Sequence, residues 1–273
     1  MISVVIPTYK NRSQLFQNLK HNLKFLIDNE IIVVNDNPEE HFKKEKFFSD
    51  NHIFLLENKK NLGFGRSVNL GVKLAKNNFV MLLNDDVKLD NDDFLKALEY
   101  FKKDKMLFAV SFAQKEKDGS VVGKNVFYWK RGLFFHAKAA DLNFGPNAWA
   151  EGGASLIDKD KFLQLGGFDP IYAPFYWEDI DLSYRASQKG YKILFDPNIL
   201  VQHHHESTIG KNFSKSFIKT VAYRNQFIFI WKNIRNPLLI IQHIIFLPFN
   251  LVYYLLKGEK EFVIGFIEAL KTR

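Results

Sequence analysis

Short uninterrupted apolar runs, each ending abruptly in polar residues, recur along most of the chain. Ile2 to Ile6, Glu30 to Val34 and Phe79 to Leu83 are too short for buried helices and show no alternation. They read as strands covered on both faces, and Ile53 to Leu56 as a shorter one. Between them, Ser13 to Leu26 sets Leu15, Phe16, Leu19, Leu23 and Leu26 at helical spacing, and a second helix is expected to start near Ser67. Strand, helix, strand at this period predicts the parallel βαβ units of an α/β sheet. Further on, a helix is predicted over Asp90 to Asp104, with Asp90, Asp92 and Asp93 complementing the dipole of its first turn. A strand over Leu107 to Ala113 follows. Lys115 to Gly145, rich in Gly, Lys and aromatics, reads as a mobile lid or a hairpin. Trp149 to Ile157 reads as a strand with Gly152 and Gly153 inside, where missing side chains let a ligand lie against the backbone. Short segments at Lys161–Leu165 (helix), Glu178–Gly190 (helix) and Tyr191–Phe195 (a last strand) complete the pattern, after which Asp196-Pro197 turns the chain and the apolar Ile199-Leu200-Val201 leads into the histidines.

The polar strand ends carry the candidate chemistry. Adjacent carboxylates do not belong inside a covered strand, so Asn84-Asp85-Asp86 should sit at the open carboxyl end of Phe79–Leu83, where α/β sheets place ligands. Two carboxylates and an amide oxygen suit Mg²⁺ or Mn²⁺; the alternative is a plain polar turn. Asp36, at the end of the second strand, is placed to hold a ribose hydroxyl or to make an Asx-turn before Pro38. In Asn58 to Ala75, Gly63 and Gly65 permit close approach of a ligand and Arg66 offers charge for a phosphate or a planar base. Neither the dinucleotide fingerprint nor a P-loop is present. Glu178 and Asp179 follow an aromatic loop, Tyr172 to Trp177, whose apolar surroundings would raise a carboxylate's pKa and favour a general base. Asp181 is expected to pair with Arg185 at i,i+4. In Gln202-His203-His204-His205, one imidazole is expected to serve a metal.

Composition adds three constraints. The formal charge of +8 points to an anionic partner. With no cysteine, disulfides, thiolate metal sites and cysteine nucleophiles are excluded, and a reducing compartment fits. The N-terminal residues lack the pattern of a signal peptide. From Ser214 the chain changes character, and Pro237 to Leu256 is almost wholly apolar, broken by Gln242, His243, Pro248 and Asn250 and flanked by basic residues. We expect a helical hairpin lying in the interface of an anionic leaflet, ahead of a true span or a buried soluble tail.

Taken in order, seven pieces resemble the inverting family 2 glycosyltransferases of the GT-A fold. They are Ser3-Val4-Val5-Ile6-Pro7-Thr8-Tyr9, Val33-Val34-Asn35-Asp36, Asn61-Leu62-Gly63 with Asn69-Leu70-Gly71, and Leu83-Asn84-Asp85-Asp86. The others are Gly166-Gly167-Phe168-Asp169, Trp177-Glu178-Asp179 with Asp181-Leu182 and Arg185, and His203 to Ser207. The resemblance, to bacterial cell-surface glycan transferases including rhamnosyltransferase-like ones, implies an α/β fold with a mostly parallel, helix-flanked sheet. It divides the chain into a domain over 1–210, nucleotide-sugar-binding over 1–90 and acceptor-binding over 91–210, and a membrane-associating helical tail over 211–273. A UDP-, dTDP- or GDP-linked sugar would lie on Pro7, Thr8, Tyr9, Asp36, Gly63, Arg66, Asn69, Asn84 and Asp85. Asp86 and His203 would hold Mn²⁺ or Mg²⁺, Asp179 would be the base, and Gly153, Trp177 and Glu178 would meet a glycan or lipid-linked acceptor. The implied place is cytoplasmic, peripheral on the inner face of the cell membrane, with no nucleic-acid partner. Two departures stand out: Asn84 occupies the first acidic position of the family's Asp-x-Asp, and Arg66 precedes Asn69 by three positions where many relatives have adjacent residues. Asn84 is also what a non-catalytic scaffold with a decayed nucleotide site would show.

Overall fold

The computed structural model describes residues 1–203, 210 and 212–272. Every residue of strand β1 (Ser3–Thr8) is buried, and the strand's two-residue period divides its side chains between two cores. Val4 and Ile6 join Ile31, Val33, Met81 and Leu83 under Leu15 and Leu19 of helix α1 (Arg12–Asn22). Val5 joins Ile32, Val34, Val80 and Leu82 on the opposite face, under Val68 and Val72. The strands concerned are β2 (Glu30–Asn35) and β4 (Phe79–Leu83), with α2 (Lys46–Asp50), β3 (Phe54–Glu57) and α3 (Phe64–Leu74) between them. Each such residue contributes about 1.5–3 kcal/mol by leaving water. Helix α3 lies so close to β1 that a Cβ on Gly71 would stand 2.4 Å from Val5 Cγ1.

Among the described residues the main sheet has ten strands. In its first half β3, β2, β1 and β4 run parallel. Next come β5 (Val87–Leu89), α4 (Ala97–Lys103), β6 (Leu107–Lys115) and β7 (Val121–Val122). A separate hairpin of β8 (Asn125–Lys130) and β9 (Leu133–Lys138) is followed by β10 (Gly145–Pro146), β11 (Ala154–Asp158) and α5 (Lys159–Gln164). Helix α6 (Glu178–Gln188) and strand β12 (Lys192–His203) close the sheet. Strand β11 runs antiparallel between β4 and β6, and β12 runs parallel to β6, so the second half is mixed.

Several expected boundaries move, each for a local reason. Helix α3 starts at Phe64 rather than near Ser67, because Gly63, at φ 84°, turns the chain into it. The helix expected from Asp90 shrinks to a 3₁₀ turn at Asp93–Lys96 and α4, because Val87–Leu89 is drawn into the sheet against β12. Asp90 instead accepts from Gln202 at 2.7 Å. Strand β11 begins only at Ala154. What lies against the two glycines before it is protein: a Cβ would stand 2.4 Å from Asn84 Nδ2 at Gly153 and 2.9 Å from Phe64 Cε1 at Gly152. The last strand, expected over Tyr191–Phe195, runs on through the expected turn at Asp196-Pro197 to His203 as β12, irregular between Asp196 and Leu200.

The tail forms α7 (Lys215–Asn233), α8 (Pro237–Leu256) and α9 (Lys260–Lys271). A third core joins it to the domain, with Phe227, Phe229 and Phe262 packed among Phe134, Tyr172, Trp177 and Ile180. Asp181 does more than pair with Arg185. Fully buried, it accepts from Arg185 Nε at 2.7 Å, Tyr172 Oη at 2.9 Å, Lys232 Nζ at 2.9 Å and Asn233 Nδ2 at 2.7 Å. Asn225 Nδ2 meanwhile donates to the carbonyls of Tyr172, Phe175 and Tyr176 at 2.8, 3.0 and 2.9 Å. Helix α8 is fastened by its polar residues: buried His243 Nδ1 meets Gly132 O at 2.6 Å, buried Asn250 donates to Arg131 O at 2.8 Å, and exposed Gln242 accepts from Trp129 Nε1 at 2.8 Å. Its outward face is apolar, with Leu238, Ile241, Ile244, Ile245, Phe249 and Val252 among the exposed residues.

Removing the carboxylate at 181 leaves Arg185 only the carbonyls of Leu165 and Gly167, leaves Lys232 paired with Asp169 alone, and orphans Tyr172 Oη and Asn233 Nδ2; breaking a buried pair of this kind costs about 3–5 kcal/mol. Urea denaturation of Asp181→Ala should show a loss of that size, whereas Asp90→Ala should stay within about 0.5 kcal/mol of the parent.

Candidate active site

The carboxyl ends of β1, β2 and β4 open into a cavity of about 660 Å³ that also receives the start of α6 and the end of β12. The Asn84–Asp86 loop on its floor is held from both sides. From α1, Asn18 Nδ2 donates to Asp85 O at 2.8 Å, and Asn22 bonds Val87 O at 3.0 Å and Leu89 N at 2.9 Å. From the other side, Asn84 N donates to Gly153 O at 2.9 Å. Thr8 Oγ1 and Asn11 Nδ2 donate to the two carboxylate oxygens of Asp85 at 2.6 and 3.0 Å. Burial, and then the charge of Asp86, still push Asp85 up to about 7.

Pairing of β5 with β12 sets His203 opposite Val87, next to Asp86. His203 Nε2 stands 3.1 Å from Asp86 Oδ1, and its Nδ1 2.5 Å from Gln114 Oε1. Burial lowers the imidazole's pKa, but the hydrogen bond and charge of Asp86, helped by Glu116 and Glu151, outweigh it and hold it above its ordinary value. A divalent ion fits here by taking the place of the Nε2 proton. Among the described residues no cluster of three His, Asp or Glu forms a cage. The pair therefore suits an ion that keeps waters or takes phosphate oxygens, as Mg²⁺ and Mn²⁺ do. His204, His205, Glu206 and Ser207 lie outside the described residues.

Asp36 accepts from Leu62 N and Asn58 Nδ2 at 2.8 Å each and from Gly63 N at 2.7 Å, yet burial keeps its pKa raised. Across the cavity, Tyr176 and Trp177 both adopt left-handed backbone, at φ 71° and 78°, which costs each non-glycine residue about 1–3 kcal/mol. The hydrogen bonds from Asn225 hold that loop, and it delivers Glu178 and Asp179 to the rim. Asp179 Oδ1 accepts from Ile180 N at 2.8 Å and Oδ2 from Gly152 N at 3.3 Å. Burial first, and then the charge of Glu151, raise its pKa. Glu178 is raised by burial and by Asp179, and among the described residues its buried Oε2 has no hydrogen-bond partner.

Pro7, Thr8, Tyr9, Asp36, Asn84, Asp85, Asp86, Gly153, Trp177, Glu178, Asp179 and His203 thus line one cavity. Gly63, Arg66 and Asn69, expected on the donor, do not. Because α3 starts three residues early, Phe64 and Ser67 face the cavity and Arg66 points to solvent beside Asp169 and Pro170. Asn69 spends its amide on Phe168, donating to O at 2.7 Å and accepting from N at 2.9 Å. Gly63 acts through its N–H on Asp36. Sequence reasoning passed over Asn11, Gln114, His136 and Glu151. The signals were a fully buried glutamine one residue past the expected end of a strand and an acid set in the Trp149–Ile157 run.

The comparisons agree with this geometry. The family model described as glycosyl transferase family 2 matches residues 3–165. The poly-beta-1,6-N-acetyl-D-glucosamine synthase of Staphylococcus aureus is 24% identical over 200 residues, 72% of this chain and 48% of its own length. The chain thus spans about half the length of the curated relatives it matches. The structure of GalNAc-T7 with UDP, GalNAc and Mn²⁺ superposes with a TM-score of 0.64 at 18% identity, over 85% of this chain and 47% of that one. The mannosyltransferase PcManGT from Pyrobaculum calidifontis, in complex with GDP-Man and Mn²⁺, superposes with a TM-score of 0.61 at 12% identity, over 98% and 86%. At these identities the two structures speak for the fold, which is GT-A. The family model covers more than half the chain, and on that ground the protein belongs to glycosyl transferase family 2.

Proposed function

We propose that this protein moves a sugar from a nucleotide-sugar donor to an acceptor hydroxyl with inversion, using Asp179 as the base. The observation that carries this reading is one cavity holding an Asp86–His203 pair on one wall and a raised-pKa carboxylate, Asp179, on the other. Thr8 and Asp36 bound the nucleoside end, and Trp177, Glu178 and Gly153 the acceptor end. A divalent ion held by Asp86 and His203 would supply Lewis-acid stabilisation of the departing diphosphate. Asp179 is fixed by two backbone N–H groups and takes the proton of the acceptor hydroxyl as its oxygen attacks the anomeric carbon. The new C–O bond forms as the bond to the phosphate oxygen breaks, the electron pair leaves with the diphosphate, and the configuration inverts in one displacement. Asn84 is not a vacant ligand position in this reading. Its amide packs on Gly153 and its N–H ties the loop to β11, which weighs against a decayed scaffold.

The finer partners follow the same pattern. UDP, dTDP or GDP sugars remain the donor class, and a glycan or lipid-linked acceptor suits the aromatic rim. Helix α8 is long and apolar enough to cross a membrane. Its polar residues fasten it along the β8–β9 hairpin, so we read it as lying in the interface of an anionic leaflet on the cytoplasmic face. Arg131 and Lys257, over the ring of Tyr253 at 6.0 and 5.5 Å, supply basic groups beside it.

A panel of UDP, dTDP and GDP sugars with Mn²⁺ tests the activity, since slow donor hydrolysis distinguishes an enzyme from a scaffold. Asp179→Asn should lower transfer at least about 10²–10⁴-fold with nucleotide affinity retained; an unchanged rate removes Asp179 as base. Because the base must be ionised, the parent's rate should rise with pH through about 6, above the ordinary aspartate range. A rate flat from pH 5 to 8 would contradict this. In flotation assays the chain should rise with phosphatidylglycerol vesicles, and Ile244→Asp/Phe249→Asp should stay below; equal behaviour of the two defeats the membrane reading.

A further inference from the structure

Behind the Asp86–His203 pair lies a buried polar chain that the proposed reaction does not itself use. Gln114, at the end of β6, is fully buried, and its Oε1 lies 2.5 Å from His203 Nδ1. Its Nε2 donates to Glu151 Oε2, and Glu151 Oε1 accepts from Asn125 Nδ2 at 3.0 Å. Asn125 is itself anchored, its N–H donating to Asn147 Oδ1 at 2.7 Å.

The direction of this chain follows from chemistry. An ionised carboxylate only accepts, so Glu151 demands the NH₂ end of Gln114. The amide then has only its oxygen to offer His203, and that oxygen demands a proton on Nδ1. A neutral imidazole carrying its proton on Nδ1 has its lone pair on Nε2, the nitrogen that faces Asp86. We propose that Glu151 and Gln114 are positioning residues that hold His203 in the tautomer able to bind a divalent cation together with Asp86. The proposal rests on the reading of Asp86 and His203 as the metal pair. It goes beyond that reading by assigning the orientation of the ring to two cavity-lining residues that have no part in the proposed displacement. Partners of this kind typically govern about 10–100-fold of a metal site's affinity.

The arrangement also dictates its own rescue. Exchanging the two residues, Gln114→Glu with Glu151→Gln, keeps every polarity: the carboxylate at 114 accepts from Nδ1–H and from the new amide, whose oxygen still accepts from Asn125. Mn²⁺ binding to the full chain, followed by electron paramagnetic resonance with and without UDP, is the affinity readout, and melting curves verify the fold of each variant. Gln114→Leu should weaken Mn²⁺ about 10–100-fold, and the exchanged pair should recover most of that loss. Nitrogen-15 spectra of the histidine-labelled parent saturated with diamagnetic Mg²⁺ and UDP, where the cation replaces the Nε2 proton that otherwise faces Asp86, should show the proton of His203 on Nδ1. Parent-like Mn²⁺ affinity in Gln114→Leu, no recovery in the exchanged pair, or a parent ring protonated on Nε2 would each overturn the proposal; the last test stands even where a variant does not fold. If His203→Ala binds Mn²⁺ as the parent does, it is the metal-pair reading that falls, and this proposal with it.

Discussion

One buried carboxylate, Asp181, joins the parts of this molecule that chemistry must bring together. It lies in the first turn of α6, two residues after Asp179, and its oxygens are shared among Arg185 on the same helix, Tyr172 in the loop before it, and Lys232 and Asn233 at the end of α7. A charge with no exposure to water is tolerated only because these donors surround it. The tail is thereby part of the wall behind the base. The same helix α7 contributes Asn225, which ties down the carbonyls of a loop whose last two residues are held in left-handed backbone. Backbone strain beside a functional carboxylate persists only where surrounding structure over-determines it, and here α7 does so.

The opposite wall is rigid for a different reason. Asparagines 18 and 22, on the buried face of α1, bond the backbone of the loop that carries Asp85 and Asp86 and of the short strand after it. Antiparallel pairing of that strand with β12 then carries His203 to Asp86. Glu151 stands between the two walls, steering the imidazole through Gln114 and raising the pKa of Asp179 through its charge. Such a site responds as a unit, because one side chain sets conditions on both of its halves.

What could be read from the chain alone followed from its periodicity. The apolar runs are covered strands, and their polar ends gather on one edge, which is why Asp36 and Asp86 could be placed together; Asp179, in the first turn of a helix, was joined to them by the family resemblance. One miss is local, the start of α3, and the others originate in contacts between distant segments. Whether Phe64 or Ser67 opens α3 depends on the backbone of Gly63, and that shift of three residues turns Arg66 away from the cavity. Asp181 reads as an ordinary i,i+4 partner because Lys232 and Asn233 lie some fifty positions downstream. Gln114 and Glu151 carry no motif; they meet because β11 and β6 are neighbours, and strand order is not written in periodicity. The glycines at 152 and 153 were rightly seen as making room, but the room is filled by Phe64 and Asn84.

Helix α8 reverses the usual arrangement of a surface helix, with its amides and imidazole against the protein and its aliphatic face outward. Its two faces consequently carry separate instructions: Gln242, His243 and Asn250 say where the helix sits, and the outward aliphatics say what surrounds it. Either set is open to rewriting alone. Polar residues substituted along the outward face would leave the docked helix in place and test the proposed membrane contact alone. The interruptions in this apolar run are its points of attachment to the β8–β9 hairpin.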